Sequence, residues 1–194
     1  MKNLPAHYWD EQYRKGQTGW DIGYVSSPLK AYFDQLGKKS LKILIPGAGN
    51  AYEAEYLYKN GFFNTYILDY SIESIRNFRK RYSCFPEENL VSENFFNHNK
   101  KYDLIVEQTF FSSIPKQQRE AYAIKMHQLL NPGGKLIGLL FNHEFNFQGP
   151  PFGGLKSEYT ELFLPYFEIQ KMEIAYNSIK PRVDRELFII LNKK

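Results

Sequence analysis

Residues 41–53 read LKILIPGAGNAYE. An apolar run, Leu41 to Ile45, passes at once into Pro46, Gly47, Ala48, Gly49 and Asn50, and helical spacing then begins. The pattern predicts a buried strand over 41–45, a glycine turn, and a helix over about 50–60 that stops at Asn60-Gly61. Gly47 and Gly49 let the backbone pass close to a ligand where a side chain would collide. The unpaired N–H groups at the start of the next helix face the same point.

Downstream, the pattern repeats. NTYILD (64–69) predicts strand 2, and Ser71 then caps a helix that runs to about Tyr82, with Glu73 in its first turn. NLVSE (89–93) and YDLIVE (102–107) give strands 3 and 4. Pro115 opens a helix over 115–130, which Asn131-Pro132-Gly133-Gly134 stops before strand 5 at 135–141. A loop rich in rings, Gly and Pro covers 142–154, and a helix follows at about 156–164. FEIQKMEIAY and RELFIILNKK form two closing strands joined by a loop at 177–185. Upstream, Ser26-Ser27-Pro28 starts an amphipathic helix (Leu29, Tyr32, Phe33, Leu36) closed by Gly37. Trp9 and Tyr13, four apart, share one face of a helix in the aromatic lead-in 1–24.

Alternating β and α units predict an α/β, doubly wound, mainly parallel sheet of seven strands, with an antiparallel C-terminal edge. The length of 194 residues fits one domain over 1–194. The 43% hydrophobic content suits a globular chain. The net charge of +4, with no run of five like charges, predicts no nucleic-acid partner. No stretch approaches the ~18 apolar residues of a membrane helix. The N-terminal residues lack a signal-peptide pattern, and Cys84 is the single cysteine, so the expectation is a cytoplasmic protein without membrane contact. His7, His98, His127 and His143 are scattered, which predicts no metal site.

In open α/β sheets, ligands sit beyond the carboxyl ends of the strands. Asp69 ends strand 2, 20 residues after Gly49, where a carboxylate can accept from both hydroxyls of a ribose. The dinucleotide fingerprint wants Gly or Ala at the position held by Tyr52, and no phosphate loop of the G-x-x-x-x-G-K type occurs. An adenosine cofactor without phosphates, S-adenosylmethionine, fits better.

The succession IPGAGNAYE, ILDYS, YDLIVEQTFF and LLNPGGKL resembles the class I S-adenosylmethionine-dependent methyltransferases, with their Rossmann-like fold. Trp9-x3-Tyr13-x6-Trp20-Asp21-x-Gly23 and Gly149-Pro150-Pro151-Phe152 resemble the thiopurine S-methyltransferase family, nearest its halide/thiol methyltransferase branch. The resemblance implies that residues 1–24 cover the cofactor through Trp9, Tyr13 and Trp20. It implies that Gly47 and Gly49 meet the methionine portion, Asp69 the ribose, Asn94 and Phe95 the adenine, and Gln108 the methionine end. Tyr13 stands where that branch usually has Trp, Asn94 where Asp is common, and Gln108 where Arg or Tyr is usual.

The implied activity is methyl transfer to a small acceptor, a thiol, thiopurine or halide, by in-line displacement. No catalytic base is assigned; His143, Glu144 and Arg182 are the polar groups considered for the substrate side. Phe110, Phe111, Phe141, Phe152 and Trp20 are the expected acceptor walls. The alternatives are a non-catalytic cofactor-binding protein and, against the evidence of Tyr52, a dinucleotide-dependent reductase.

Overall fold

The computed structural model describes residues 4–194. Seven strands form one sheet in the order β3-β2-β1-β4-β5-β7-β6. The strands are β1 (Ile43–Pro46), β2 (Thr65–Asp69), β3 (Leu90–Ser92), β4 (Tyr102–Gln108), β5 (Leu130–Phe141), β6 (Phe167–Ile174) and β7 (Glu186–Lys193). β1 to β5 pair in parallel, whereas β7 runs antiparallel to both β5 and β6 at the C-terminal side of the sheet. The expected mainly parallel sheet with an antiparallel C-terminal edge is therefore present.

Six α-helices accompany it among the described residues: α1 (Ala6–Lys15), α2 (Ser27–Phe33), α3 (Tyr52–Lys59), α4 (Ile72–Arg81), α5 (Arg119–Leu129) and α6 (Lys156–Phe163). They cover both faces, and each face has its own core. One core joins Leu44, Ile105 and Leu136 to Tyr122 and Met126 of α5 and to Tyr159 and Phe163 of α6. The other joins Ile43, Ile45 and Ile67 to Leu29, Leu57 and Phe78 of α2, α3 and α4. All four residues of β1 are buried, as both-face coverage of a central parallel strand requires.

Three boundaries differ from the sequence expectation, the first being α2, which ends at Phe33 with Asp34 as its cap rather than at Gly37. Asn131-Pro132-Gly133-Gly134 does not separate α5 from strand 5. Leu130 already pairs with Tyr102, and the ladder resumes at Leu104–Lys135, so the four residues form an irregularity inside β5. Asn131 anchors it by donating to Asp103 Oδ1 at 2.8 Å. Pro115 does not open α5 either; residues 116–118 make a separate 3-10 turn, and the α-helix begins at Arg119.

β1 and β4 are neighbours, and the connection after β1 leads to β2 on one side while that after β4 leads to β5 on the other. That is the switch point of the sheet, where the ends of adjacent strands open a crevice. The Gly47–Gly49 turn, Asp69 and Gln108 all sit at the carboxyl ends of these strands.

Candidate active site

Two adjoining cavities open at the switch point. The larger encloses about 1000 Å3 measured out to bulk solvent, and the smaller about 420 Å3. Trp20, Gly47 and Thr109 line both. Every one of the nine expected site residues lines one or the other. Trp9, Tyr13, Asp69, Asn94 and Phe95 belong to the larger cavity, Gly49 and Gln108 to the smaller, and Gly47 and Trp20 to both.

The floor is the glycine turn. Gly47 and Gly49 have φ of +56° and +54°, left-handed backbone that costs a residue with a Cβ about 1–2 kcal/mol. Close approach is the second requirement. A Cβ on Gly47 would lie 2.2 Å from Cδ2 of Phe110, and one on Gly49 would lie 2.8 Å from the Tyr13 hydroxyl. The turn is fixed from below by Asp69. One carboxylate oxygen accepts from Gly49 N–H at 3.0 Å and the other from Ser71 N–H at 2.9 Å. Burial pushes the Asp69 carboxyl up, and these amides pull against that shift. No cation pairs with it among the described residues.

The roof is α1 with the segment after it. Trp20 stands edge-on to Trp9 at 5.5 Å and to Tyr13 at 5.9 Å between ring centroids. Burial, then the Asp69 charge, push the Tyr13 hydroxyl well above the usual phenol range. Several contacts hold the roof down. Asp10 of α1 accepts from Ser71 Oγ at 2.7 Å and Glu73 N–H at 3.2 Å, so it sits on the positive N-terminus of α4. Ser26 N–H donates to the buried Glu53 carboxylate at 3.0 Å. Arg182, from the β6–β7 connection, donates to the Trp20 carbonyl at 2.8 Å and to Glu186 at 3.1 Å.

The wall is the segment after β4. Thr109 has φ +62°, an unusual conformation for a β-branched residue. Its hydroxyl donates to the Gln108 carbonyl and its own carbonyl accepts from Ser112 Oγ, each at 2.7 Å. Beneath it, Glu107 is fully buried and accepts from Phe111 N–H at 2.8 Å and from the Tyr122 hydroxyl. Burial raises the Glu107 carboxyl to about 7. Asn94 is engaged locally, its side chain accepting from Phe96 N–H at 2.9 Å. The Gln108 side-chain oxygen is buried with no hydrogen-bond partner.

Several expectations are corrected. Of the rings expected around an acceptor, only Phe110 and Trp20 line a cavity. Phe111 packs in the core against Tyr122 and Tyr159, Phe141 faces His143 and Phe145, and the Phe152 ring folds onto Gly149. Pro150 and Pro151, with Ser112, Ser113 and Ile114, take the place expected of those rings. His143, Glu144 and Arg182 line neither cavity. Glu144 pairs with Lys116, and both His143 ring nitrogens are buried without a partner.

A family model for thiopurine S-methyltransferase matches residues 4–187. The chain belongs to the thiopurine S-methyltransferase family. This member is an S-adenosylmethionine-dependent methyltransferase. It is 31% identical over 163 residues to the probable thiol methyltransferase 2 of Arabidopsis thaliana, covering 81% of this chain and 71% of the relative. It is 27% identical to thiocyanate methyltransferase 1 of Brassica oleracea, covering 92% and 81%. Among solved structures, 1,6-didemethyltoxoflavin-N1-methyltransferase of Burkholderia thailandensis superposes with a TM-score of 0.76 at 16% identity, covering 97% of this methyltransferase and 87% of that chain. Family membership removes the reductase reading. No helix among the described residues of the methyltransferase is long and apolar enough to cross a membrane.

Proposed function

We propose that this chain moves the methyl group of S-adenosylmethionine onto a small soft nucleophile, a thiol, a thiopurine or a halide, by in-line displacement. The observation that carries this reading is the lining of the cleft. It contains rings, two prolines, two serines and the carboxylates Asp21, Glu53, Asp69 and Glu93, and among the described residues no Lys, Arg or His lines either cavity. Such a lining offers no imidazole or amine base, and its carboxylates Asp69 and Glu53 are engaged by backbone N–H donors, so an acceptor that brings its own nucleophilicity suits it best. Soft, polarizable acceptors do this and suit apolar walls. The names of the two plant relatives point the same way.

The residues present fit the cofactor. An orphaned acceptor, Gln108 Oε1, lies in the same small cavity as the Gly47–Gly49 turn and suits the ammonium of the methionine portion. Asp69 has no competing cation among the described residues and would hold the ribose hydroxyls. Asn94 and Phe95 would flank the adenine. Bound S-adenosylmethionine supplies an activated methyl group on a sulfonium. Trp9, Tyr13 and Trp20, in residues 1–24, would cover that charge, and each ring face attracts a cation by about 0.5–2 kcal/mol. The same rings exclude water, while the walls fix the acceptor's approach, and such alignment can supply ~7–11 kcal/mol of the barrier.

A panel of hydrosulfide, thiophenol, 6-mercaptopurine and iodide, assayed with methyl-labelled S-adenosylmethionine, tests the acceptor class. Labelled product from at least one of them is expected. Transfer to none of them, with the cofactor bound, overturns the acceptor reading.

A further inference from the structure

The first turn of α5 carries a buried cation that the cofactor site does not use. Arg119 is 6% exposed. Nearby Glu144 and Glu158 pair with Lys116 instead. The Arg119 guanidinium is stacked on Phe111, 4.4 Å from the ring centroid, and near Tyr159. One of its amino groups donates to two backbone carbonyls, Phe152 at 3.0 Å and Gly153 at 2.9 Å. Its Nε has no partner. Burying a charge for the sake of loop carbonyls is a poor way to stabilise a core, and an apolar side chain of similar volume serves that end better.

What the arrangement does achieve is placement. The two carbonyls follow directly on Pro150 and Pro151, which line the large cavity. Across from them stand Ser112 and Ser113, and Phe152 N–H donates to the Ser112 carbonyl at 2.6 Å. Gly154 has no side chain to block the clamp: a Cβ there would lie 2.9 Å from an Arg119 amino group and 2.6 Å from the Tyr159 hydroxyl. Tyr122, one turn along the same face of α5, holds Glu107 and through it the Phe111 amide. One helix face therefore grips both walls of the cleft beside the cofactor positions.

We infer that Arg119 is a positioning residue for the methyl acceptor: its guanidinium holds the Phe152 and Gly153 carbonyls and so sets how Pro150 and Pro151 face Ser112 and Ser113. This inference rests on the proposed function in taking that end of the cleft as the acceptor's. Cofactor binding should not depend on it, because Arg119 lines neither cavity.

The test compares Arg119→Met and Arg119→Lys with wild type in the full chain. Calorimetry with S-adenosylhomocysteine is expected to give affinities within about twofold of wild type. Amide hydrogen exchange in the S-adenosylhomocysteine complex is expected to speed up at Phe152 and Gly154 in Arg119→Met. With thiophenol as acceptor, Arg119→Met should raise the acceptor KM roughly tenfold or more, as loss of charged hydrogen bonds implies, with the cofactor KM unchanged. Arg119→Lys keeps a cationic donor and should recover part of both effects. Unchanged exchange at Phe152 and Gly154 in Arg119→Met overturns the clamp. Faster exchange with an unchanged acceptor KM also overturns the inference, since the contact is then structural only. Wild-type failure to methylate thiophenol counts against the acceptor reading, while the exchange result still decides whether Arg119 holds the wall.

Discussion

Replacing Gly47 by Ala loads two separable costs onto the floor of the site. The first is backbone strain, because φ is +56° there. The left-handed region costs a residue with a Cβ about 1–2 kcal/mol. The second is collision. The new methyl carbon would stand 2.2, 2.4 and 2.7 Å from Cδ2, Cγ and Cβ of Phe110. Rotating the ring does not clear its own Cβ, so the backbone around Phe110 must move. The ring is also backed by Phe95 and Tyr122, with centroids at 5.1 and 5.9 Å. Overpacking of this kind adds about 1–3 kcal/mol. The sum, about 2–5 kcal/mol, lowers the melting temperature by roughly 5–15 °C in a domain of this size. Gly133→Ala is the control, since φ is +74° and nothing lies within 4 Å of the added carbon. It bears the strain alone, about 1–2 kcal/mol. Thermal melts and calorimetry with S-adenosylhomocysteine read the difference. Gly47→Ala should melt below Gly133→Ala and lose most of its affinity, whereas Gly133→Ala should bind normally. Equal melting temperatures with intact affinity in Gly47→Ala would refute the close-approach argument.

Trp20→Ala removes two edge-on ring contacts and the centre of the roof. Affinity for S-adenosylmethionine should fall roughly tenfold and by more than affinity for the uncharged S-adenosylhomocysteine, because a ring face adds about 0.5–2 kcal/mol for a cation. Equal losses would place the sulfonium elsewhere. Asp69→Asn keeps the shape but sets an amide against the two backbone N–H donors at Gly49 and Ser71. Cofactor affinity should drop roughly tenfold or more, and calorimetry showing no change would remove Asp69 from the ribose position. Glu107 carries a folded-state pKa of about 7 against an ordinary 4.5. A raised acid costs stability as pH climbs from the unfolded value, and the cost is complete above the folded one. Glu107→Gln should therefore gain on wild type by about 3 kcal/mol between pH 4.5 and 8 in urea titrations, and parallel pH profiles would contradict the assignment.

The sheet was legible because its signals are local. Parallel strands buried on both faces read as short apolar runs, and the 20 residues from Gly49 to Asp69 match a βαβ unit. The β5 irregularity was not, because Asn131-Pro132-Gly133-Gly134 is stop chemistry in any local reading. Only the pairing of Leu130 with Tyr102 on another strand draws it into the sheet. The nine expected cofactor residues rest on motif resemblance, and the fold brings all of them to the lining of the cleft. The acceptor walls were misread for a plain reason: a Phe in the sequence does not say which way its ring faces. Phe111, Phe141 and Phe152 turn into packing, and the prolines beside Phe152 reach the cavity instead. Glu107 and Arg119 gave no signal either. A charge on a strand or in a first helical turn reads as solvated, and their burial depends on contacts 15 to 34 residues away in the chain. A signal for Glu107 existed in Gly138, whose missing Cβ leaves room 2.4 Å from the Glu107 Cβ, but it needs the β4–β5 register to be read.

A crystal structure of the S-adenosylhomocysteine complex tests the central claim most directly. The account predicts the ribose hydroxyls on the Asp69 carboxylate, the amino group at Gln108 Oε1, and the sulfur beneath Trp9, Tyr13 and Trp20. A ligand bound away from the Gly47–Gly49 turn, or bound there with the three rings swung off it, would contradict the account.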